Sequence, residues 1–417
     1  MSNNFKNEYW TVTAGDLSSK RYRIEAPEYS NTPTNDVYKI VVDQSVKYQD
    51  WIGVGAAITD ASAKLIWNQT ANQRHDLLEE LFSPEKGNFS VIRIPIGACD
   101  FSSQNYYSYD DLPFGSNDHD LKYFSIGEGK PGTSNAAMWP AMIWTFKELA
   151  EFGYHYLRPA LDKTFPETKL FYWDGSLNTL DKPLSNYITQ TQASAFDGFA
   201  FHTYDAPYTN LFNASREFPN WKLVMTERRC LFKDTIEDAS HIMMGLIGNW
   251  LVRQGLSSIT LWNLALDERG LPNAAGSTGR RGVITIDHQT GKVQRNLEYY
   301  MLRNLSQDVP NGKLIKSSSY SATGYTGYLT STAFLEDDNS IAVQIYNPTG
   351  NPLKAALNIV GHSHMWQIFS VPAWGTVTVH KSNFSMNESN PRTDEEFELH
   401  PTKLNLSDDV APGKETK

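Results

Sequence analysis

Residues 222–230 read KLVMTERRC, an apolar run that ends in Glu227. Consecutive apolar residues are typical of a strand that is buried on both faces, as in a parallel sheet. A carboxylate at the end of such a strand gives up part of its hydration, which is unfavourable unless other groups compensate. The stretch therefore predicts a parallel strand that delivers Glu227 to a functional edge of the sheet.

Five more short apolar runs have the same form, and helical patterns fill most of the gaps between them. They are WIGVGAAITD (51–60), FSVIRIPIGACDF (89–101), KLFYWDG (169–175), DGFAFHTY (197–204) and SSITLWNLALD (257–267). Strands that alternate with helices indicate an α/β fold with the parallel sheet of a barrel or an open domain. A closed (β/α)8 TIM barrel has eight strands, so six strands predict an incomplete one.

The pattern changes on both sides of this region. From about residue 313, stretches such as NSIAVQIYNPTG and WQIFSVPAWGTVTVHK alternate in a way that predicts antiparallel strands without crossover helices. We expect an antiparallel β-sandwich from residues 1–45 and 306–383 beside a barrel domain at 46–305. The polar, acidic residues 384–417 have the composition of a disordered tail.

Composition excludes several classes of function. A net charge of -10 over 417 residues argues against a nucleic-acid partner, and no run reaches the roughly 18 apolar residues of a membrane span. The two cysteines, Cys99 and Cys230, form no disulfide framework, and no metal-ligand spacing or phosphate loop is visible. We therefore expect no metal and no cofactor. The first residues lack a signal-peptide pattern, so the compartment stays open.

Polar and aromatic side chains gather at the ends of the predicted strands, where barrels place their chemistry. They are Asp60, Arg93, Asp100, Asp174, His202, Tyr204, Glu227, Trp262 and Asn263. Any one of them could be a structural salt bridge or a satisfied core group, but so many at successive strand ends favour a site. Glycoside cleavage uses two carboxyl groups, and aromatic rings stack on sugars. A nearby arginine such as Arg93 would keep Glu227 ionised.

Several motifs resemble glycoside hydrolase family 30, in particular its glucosylceramidase-like (acid β-glucosidase) branch. They are GVGAAITDASA, IRIPIGACDFS, AFHTY, MTERRC, LWNLALDERGLPN and RGVITIDHQTGKV, within about residues 51 to 312. The resemblance implies a retaining β-glycosidase on a (β/α)8 barrel with a β-sandwich side domain. It implies a β-glucoside or glycosphingolipid substrate such as glucosylceramide, with β-1,6-glucan as the alternative, and a lysosomal or secreted location.

The resemblance also implies roles for single residues. Glu227 occupies the place of the catalytic nucleophile. Arg93, Asp100, His202, Tyr204 and Trp262 match positions that line the glucose subsite of the family, and we add Asp174 and Asn263 to the predicted substrate-binding set from their places at strand ends. Nothing in the sequence indicates an activator protein or an oligomeric state.

The acid/base glutamate of the family is not found. In the family it ends a strand in Asn-Glu-Pro, whereas here FSI at 124–126 runs into GEGKPGTSNAAMWPAM and no Asn-Glu-Pro occurs. About two βα units are therefore missing between residues 102 and 168, and Glu128 is the carboxylate nearest to the gap. We expect either a β-glycosidase that acts on β-glucosides or a catalytically deficient or truncated relative that binds sugar or has no function. Without a proton donor, only substrates with acidic leaving groups should react at an appreciable rate.

Overall fold

Two large sheets and two small ones organise the part of the chain that the structure describes. The structure is a computed structural model that describes residues 7–13, 19–23, 28–34, 36–95, 97–103, 107, 109–113, 115–120, 122–124, 145–204, 208–307, 309, 312–321, 329–361 and 365–382. The helices are α1 (Asp60–Trp67), α2 (Ala71–Phe82), α3 (Phe146–Phe152), α4 (Arg158–Thr164), α5 (Gln190–Ala193), α6 (Thr209–Glu217), α7 (Ile236–Ser240) and α8 (Leu297–Asn304). π-Helical segments continue α3 over Gly153–Leu157 and α7 over His241–Leu251.

The strands follow in chain order. They are β1 (Asn7–Thr13), β2 (Ser19–Arg23), β3 (Glu28–Ser30), β4 (Tyr38–Trp51), β5 (Gly53–Ala57), β6 (Val91–Arg93), β7 (Phe171–Ser176), β8 (Gly198–His202), β9 (Lys222–Glu227), β10 (Cys230–Leu231), β11 (Leu256–Leu261), β12 (Ala265–Leu266), β13 (Arg280–Arg281), β14 (Ile284–Ile286), β15 (Val293–Arg295), β16 (Gly312–Ser321), β17 (Thr330–Glu336), β18 (Ile341–Tyr346), β19 (Leu353–Ile359), β20 (Trp366–Val371) and β21 (Thr376–Ser382).

The barrel-type sheet has six parallel strands in the order β6-β5-β11-β9-β8-β7. Each overlaps one of the six runs expected from the sequence. Position 55 in β5 requires a glycine, because a Cβ there would lie 1.6 Å from the carbonyl oxygen of Val91 in β6. The α/β class with an incomplete barrel of six strands is therefore confirmed for the described residues.

The barrel-type sheet is open between its edge strands β6 and β7. Within the described residues, no backbone ladder joins these two strands. The sheet nevertheless curls until the edges meet at their C-terminal ends, where Arg93 Nη2 of β6 lies 3.2 Å from Asp174 Oδ2 of β7. A salt bridge thus spans the gap in which a complete barrel would hold two further strands.

The second large sheet has ten strands in the order β2-β1-β21-β18-β17-β16-β4-β19-β20-β3. Its pairs are antiparallel except for β4 with β19. Apolar residues from both halves share one core, so the sheet packs on itself as a sandwich. The strands β1 to β4 lie in this sheet together with the C-terminal strands. The limits proposed for the individual domains stay predictions, and the tail at 384–417 lies outside the described residues.

The sandwich is fixed to the barrel through a shared apolar core. Phe334, Ala342 and Tyr346, on the second face of the sandwich sheet, belong to the same buried cluster as Met244 and Leu305 of the barrel. This packing leaves the C-terminal ends of the barrel strands free for a site. No helix in the described ranges has the length and apolarity needed to cross a membrane.

Candidate active site

Four barrel strands bring their terminal side chains into one cluster around Glu227. Arg93 ends β6, Asp174 lies in β7, His202 ends β8 and Glu227 ends β9. Parallel strands point their carboxyl ends toward one edge of a sheet, so residues distant in sequence become neighbours here. The structure thus gathers side chains that the sequence placed only at separate strand ends.

Glu227 is held on both of its carboxylate oxygens. The Tyr204 hydroxyl donates to Oε1 at 2.6 Å, and His202 Nδ1 lies 3.5 Å from the same atom. Arg93 Nη1 forms an ion pair with Oε2. The Glu227 side chain is only 14% exposed. These contacts fix the direction of the carboxylate and place it beside a cation, an arrangement that suits attack on an electrophilic carbon.

Asp174 reaches the cluster through an unusual backbone. Trp173 and Asp174 have φ angles of 82° and 70°, a left-handed region that side chains other than glycine rarely adopt. The pairing of β7 with β8 shifts register between Trp173 and Gly175, so the strand bulges here. The Trp173 ring stacks on Phe146 with centroids 3.6 Å apart. Such strain persists where surrounding contacts impose it, and it is often found at functional sites.

Asp174 contacts three donors from neighbouring strands. His202 Nε2 lies 3.1 Å from Oδ1, the Thr226 hydroxyl donates to the same oxygen, and Arg93 binds Oδ2. Burial by itself raises the pKa of Asp174, but the hydrogen bond with His202, the charge of Arg93 and the Thr226 hydroxyl outweigh it. The pKa falls to about 2. Asp174 is therefore a carboxylate at neutral pH and has no proton to donate.

Aromatic rings cover the cations and the nucleophile. The Arg93 guanidinium lies over the ring of Trp262 at 5.0 Å, and that of Arg229 lies over the ring of Tyr204 at the same distance. Burial and then the charge of Glu227 raise the pKa of Tyr204, so its hydroxyl stays protonated and donates to Glu227. The rings thereby restrict water around the charged groups, which strengthens their mutual attraction.

Asp100 and Asn263 take different positions from the rest of the predicted set. Burial and the charge of Glu227 raise the pKa of Asp100, which places this carboxyl within the electrostatic reach of the cluster. Asn263 is 1% exposed, has a φ of 63°, and accepts a hydrogen bond of 2.9 Å from the Thr59 hydroxyl. Because Thr59 also caps α1, Asn263 ties two loops together and lies behind the cluster.

Sequence reasoning missed three residues of this region. Thr226 supports Asp174, Arg229 covers Tyr204, and the charge of Arg280 acts on both Asp100 and Tyr204. Thr226 and Arg229 lie within two residues of Glu227 in the quoted stretch. The sequence therefore shows that they are close to Glu227, but it does not show which residues they contact. Arg280 lies in a Gly-Arg-Arg-Gly segment that carries no recognisable signal.

The second carboxyl group of glycoside cleavage is not supplied by Asp174. Its oxygens are engaged by three donors and its pKa is low, whereas an acid catalyst needs a raised pKa. Glu128, the carboxylate nearest to the gap in sequence, lies outside the described residues. The described residues thus present a well-built nucleophile position without an assigned proton donor.

Two acidic residues and a histidine outside the Glu227 cluster have the spacing of a metal site. Ligand atoms of Asp267, Glu268 and His288 lie within 4.8 Å of one another. Asp267 already accepts bonds from Arg269 Nε at 3.0 Å and from the backbone N–H of Leu271 at 2.9 Å. The arginine charge takes the place that a cation would occupy, so this group is an ion-pair network of the loop.

Comparisons with known proteins agree with this architecture. The family model of the glycosyl hydrolase family 30 TIM-barrel domain matches residues 52–131. The endo-1,6-beta-D-glucanase BGN16.3 of Trichoderma harzianum is 24% identical, over 79% of this chain and 84% of that protein. The solved structure of the endo-beta1,6-glucanase BT3312 superposes with a TM-score of 0.74 at 18% identity, over 90% of this chain and all of the other.

Fold and matches together define a glycosidase with a TIM-barrel-type domain, which acts on a glycoside. The family model that matches part of the barrel is that of glycoside hydrolase family 30. The expected glucosylceramidase-like branch is not supported by the long matches, which are to endo-1,6-glucanases. Lysosomal acid glucosylceramidase of Mus musculus is 38% identical, but over only 82 residues, or 20% of this chain. The local motifs shared with that branch therefore do not extend to a whole-chain likeness.

Proposed function

We propose that this chain is a retaining glycosidase directed at β-1,6-glucan, with Glu227 as its nucleophile. The observation that carries the proposal is the fixed geometry of Glu227, whose two oxygens contact Tyr204 and Arg93 at the C-terminal edge of the sheet. Endo-1,6-glucanase relatives that match about four-fifths of the chain support this substrate over glucosylceramide.

The reaction proceeds by double displacement. A Glu227 oxygen attacks the anomeric carbon, the bond from that carbon to the leaving oxygen breaks, and the leaving group departs with the electron pair. Water then attacks the same carbon and loses a proton to the solvent, the glycosyl–Glu227 bond breaks with its electron pair returning to the carboxylate, and the sugar is released with retained configuration. Arg93 and His202 orient the carboxylate. The Tyr204 hydroxyl donates its hydrogen bond to Glu227 again once the glycosyl bond has broken and the carboxylate has re-formed.

Both steps are slow when no side chain transfers the proton. General acid–base help typically contributes about 100- to 10,000-fold, so a natural alcohol leaving group would depart poorly without it. A leaving group that is already acidic, such as dinitrophenolate, needs no proton. The proposal therefore predicts turnover of activated aryl β-glucosides and very slow hydrolysis of β-1,6-glucan itself.

Azide gives a direct test of this first prediction. Azide is anionic and needs no general base, so it should attack the glycosyl–Glu227 intermediate faster than water. We expect azide to accelerate turnover of dinitrophenyl β-glucoside by on the order of 10-fold or more and to yield β-glucosyl azide. Release of dinitrophenolate and NMR of the product measure the rate and the configuration.

Sodium chloride at the same ionic strength is the control for a salt effect. The α-configured azide would indicate direct attack without a Glu227 intermediate and would contradict the proposal. Ordinary turnover of β-1,6-glucan without any response to azide would show that the chain has a working acid/base. In that case the predicted lack of a proton donor would be disproved, whereas the role of Glu227 as the nucleophile would stand.

A further inference from the structure

A group of aromatic side chains, two half-buried and two exposed, is connected to the strand-end edge that carries Glu227. Its rings belong to Tyr107, Tyr109, Tyr123 and Phe124, which together form the aromatic platform. The ring centroids of Tyr107 and Tyr109 lie 6.1 Å apart, and those of Tyr109 and Phe124 lie 6.3 Å apart. The three rings in contact form a connected row.

The row begins beside the Glu227 cluster. The Tyr107 hydroxyl donates to Asp60 Oδ2 at 2.9 Å, and Asp60 follows the end of β5. The next residue of the chain, Ala61, donates its backbone N–H to the carbonyl oxygen of Phe101 at 3.0 Å. The Phe101 ring packs edge-on against Trp262, which lies under the Arg93 guanidinium. The platform is therefore continuous with the site and extends away from it.

The outer rings are open to solvent. Tyr123 is 69% exposed and Phe124 is 51% exposed, although both lie in a segment whose backbone is tied down by the bond from Tyr123 N–H to Asp118 Oδ2 at 2.6 Å. Contiguous apolar surface that remains exposed commonly marks a binding groove or an interface. Carboxylates flank the rings: desolvation and then the charges of Asp118 and Asp111 raise the pKa of Asp110.

Aromatic faces bordered by hydrogen-bond acceptors fit a neutral sugar chain. The apolar faces of glucose rings pack on aromatic side chains, and glucose hydroxyls donate to carboxylates. The negative charge of the border, together with a net charge of -10 for the chain, disfavours acidic glycans, nucleic acids and anionic lipid surfaces.

We infer that the aromatic platform binds the glucose units that follow, along a β-1,6-glucan chain, the unit held at Glu227. This inference rests on the proposed function and adds to it an extended binding surface for a polymer. A single-sugar pocket would recognise short and long chains equally, whereas the platform makes affinity depend on chain length.

The test measures binding to the Glu227→Gln protein, which cannot consume its ligand. β-1,6-Linked glucose oligosaccharides of two to six units are titrated by calorimetry. We expect the binding affinity to rise about tenfold or more from the oligosaccharide of two units to that of six. A tenfold change in affinity corresponds to about 1.4 kcal/mol. Adding Tyr123→Ala and Phe124→Ala should reduce that gain to less than about threefold, since stacking surface is lost.

Tyr156→Ala is the matched control, because Tyr156 is 68% exposed but lies on the π-helical segment after α3. It should keep the full gain with chain length. Equal affinity for all lengths, or an unchanged gain after loss of Tyr123 and Phe124, would overturn the inference. So would a concentration-dependent dimer that these two substitutions abolish, because the platform would then be an interface between two copies.

Failure of the platform can be separated from failure of the proposed function. The wild-type chain is treated with dinitrophenyl 2-deoxy-2-fluoro-β-glucoside, and the labelled peptide is identified by mass spectrometry. Labelling of Glu227 together with length-independent binding refutes the platform alone. Length-dependent binding without any labelling refutes the proposed chemistry and leaves the platform as a sugar-binding surface.

Discussion

Substitution Glu227→Gln is expected to lower the turnover of dinitrophenyl β-glucoside by at least about 10³-fold. Glutamine keeps the size and shape of the side chain but is a far poorer nucleophile, so the glycosyl–enzyme intermediate cannot form. The contacts to Tyr204 and Arg93 show that the site is built around a carboxylate at this position. Initial rates of dinitrophenolate release, measured under saturating substrate, give the loss in kcat.

Glu268→Gln is a suitable control, since Glu268 is partly exposed and pairs with His288 outside the cluster. This variant should retain wild-type turnover. Covalent labelling provides a second readout, because the fluoroglucoside should mark Glu227 in the wild-type chain and leave the glutamine variant unmarked. If a different carboxylate carried the label, Glu227 would not be the nucleophile.

Substitution Asp174→Asn is expected to lower kcat for the same substrate by about 10²-fold. The change removes the negative charge of Asp174, which Arg93 and His202 contact in addition to that of Glu227. Both side chains thereby lose an acceptor that fixes their orientation. Misplacing groups that hold a catalytic residue typically costs one or two orders of magnitude. Because Asp174 contacts three protein donors, the effect should fall on kcat more than on KM.

Thr226→Val should show a smaller loss in the same direction, since it removes one donor to Asp174 and leaves the charges in place. Asp162→Asn is the matched control, because Asp162 also pairs with an arginine but lies 62% exposed on α4. It should leave the rate unchanged. Full activity of Asp174→Asn with a normal melting temperature would rule out the positioning role.

Asp174 should also contribute to the pH dependence of stability. Its folded pKa of about 2 is below the ordinary value of 3.8, so the folded state favours the charged form. The stabilisation is fully present above about pH 4 and is lost as pH falls toward 2. The side chain is 42% exposed, so solvent screening limits the contribution to under about 1 kcal/mol. Urea unfolding at pH 5 and pH 3 should show the wild-type advantage over Asp174→Asn shrinking.

The strand pattern was predictable because it depends on local chemistry. Apolar runs such as the one before Glu227 are typical of strands that are buried on both faces of a parallel sheet, and each of the six runs overlaps a barrel strand. The polar residues at their ends were expected to meet for the same reason. Arg93, His202, Tyr204 and Glu227 do so. β5 and β11 separate β6 from β9 in the sheet, so the contact of Arg93 with Glu227 depends on the curl of the sheet.

The substrate preference could not be predicted as well from motifs. Short motifs such as AFHTY and MTERRC lie close to the strand ends, where retaining β-glycosidases share their chemistry. Loops and surfaces that distinguish a polymer from a glycolipid lie farther out and have weaker sequence signals. The long matches to endo-1,6-glucanases therefore corrected an expectation that rested on the motifs at the strand ends.

By itself, the sequence determined the α/β class, the six strands, the missing proton donor motif and the place of Glu227. Only the tertiary structure decided that Asp174 joins Arg93 across the open edge, that Thr226 supports Asp174, and that Asn263 lies behind the site. The reason is physical: strand pattern follows from neighbouring residues. The partner of a charged side chain depends instead on the curl of the sheet and on the bulge at Trp173. The left-handed backbone of that bulge could not be predicted from the residue types at these positions.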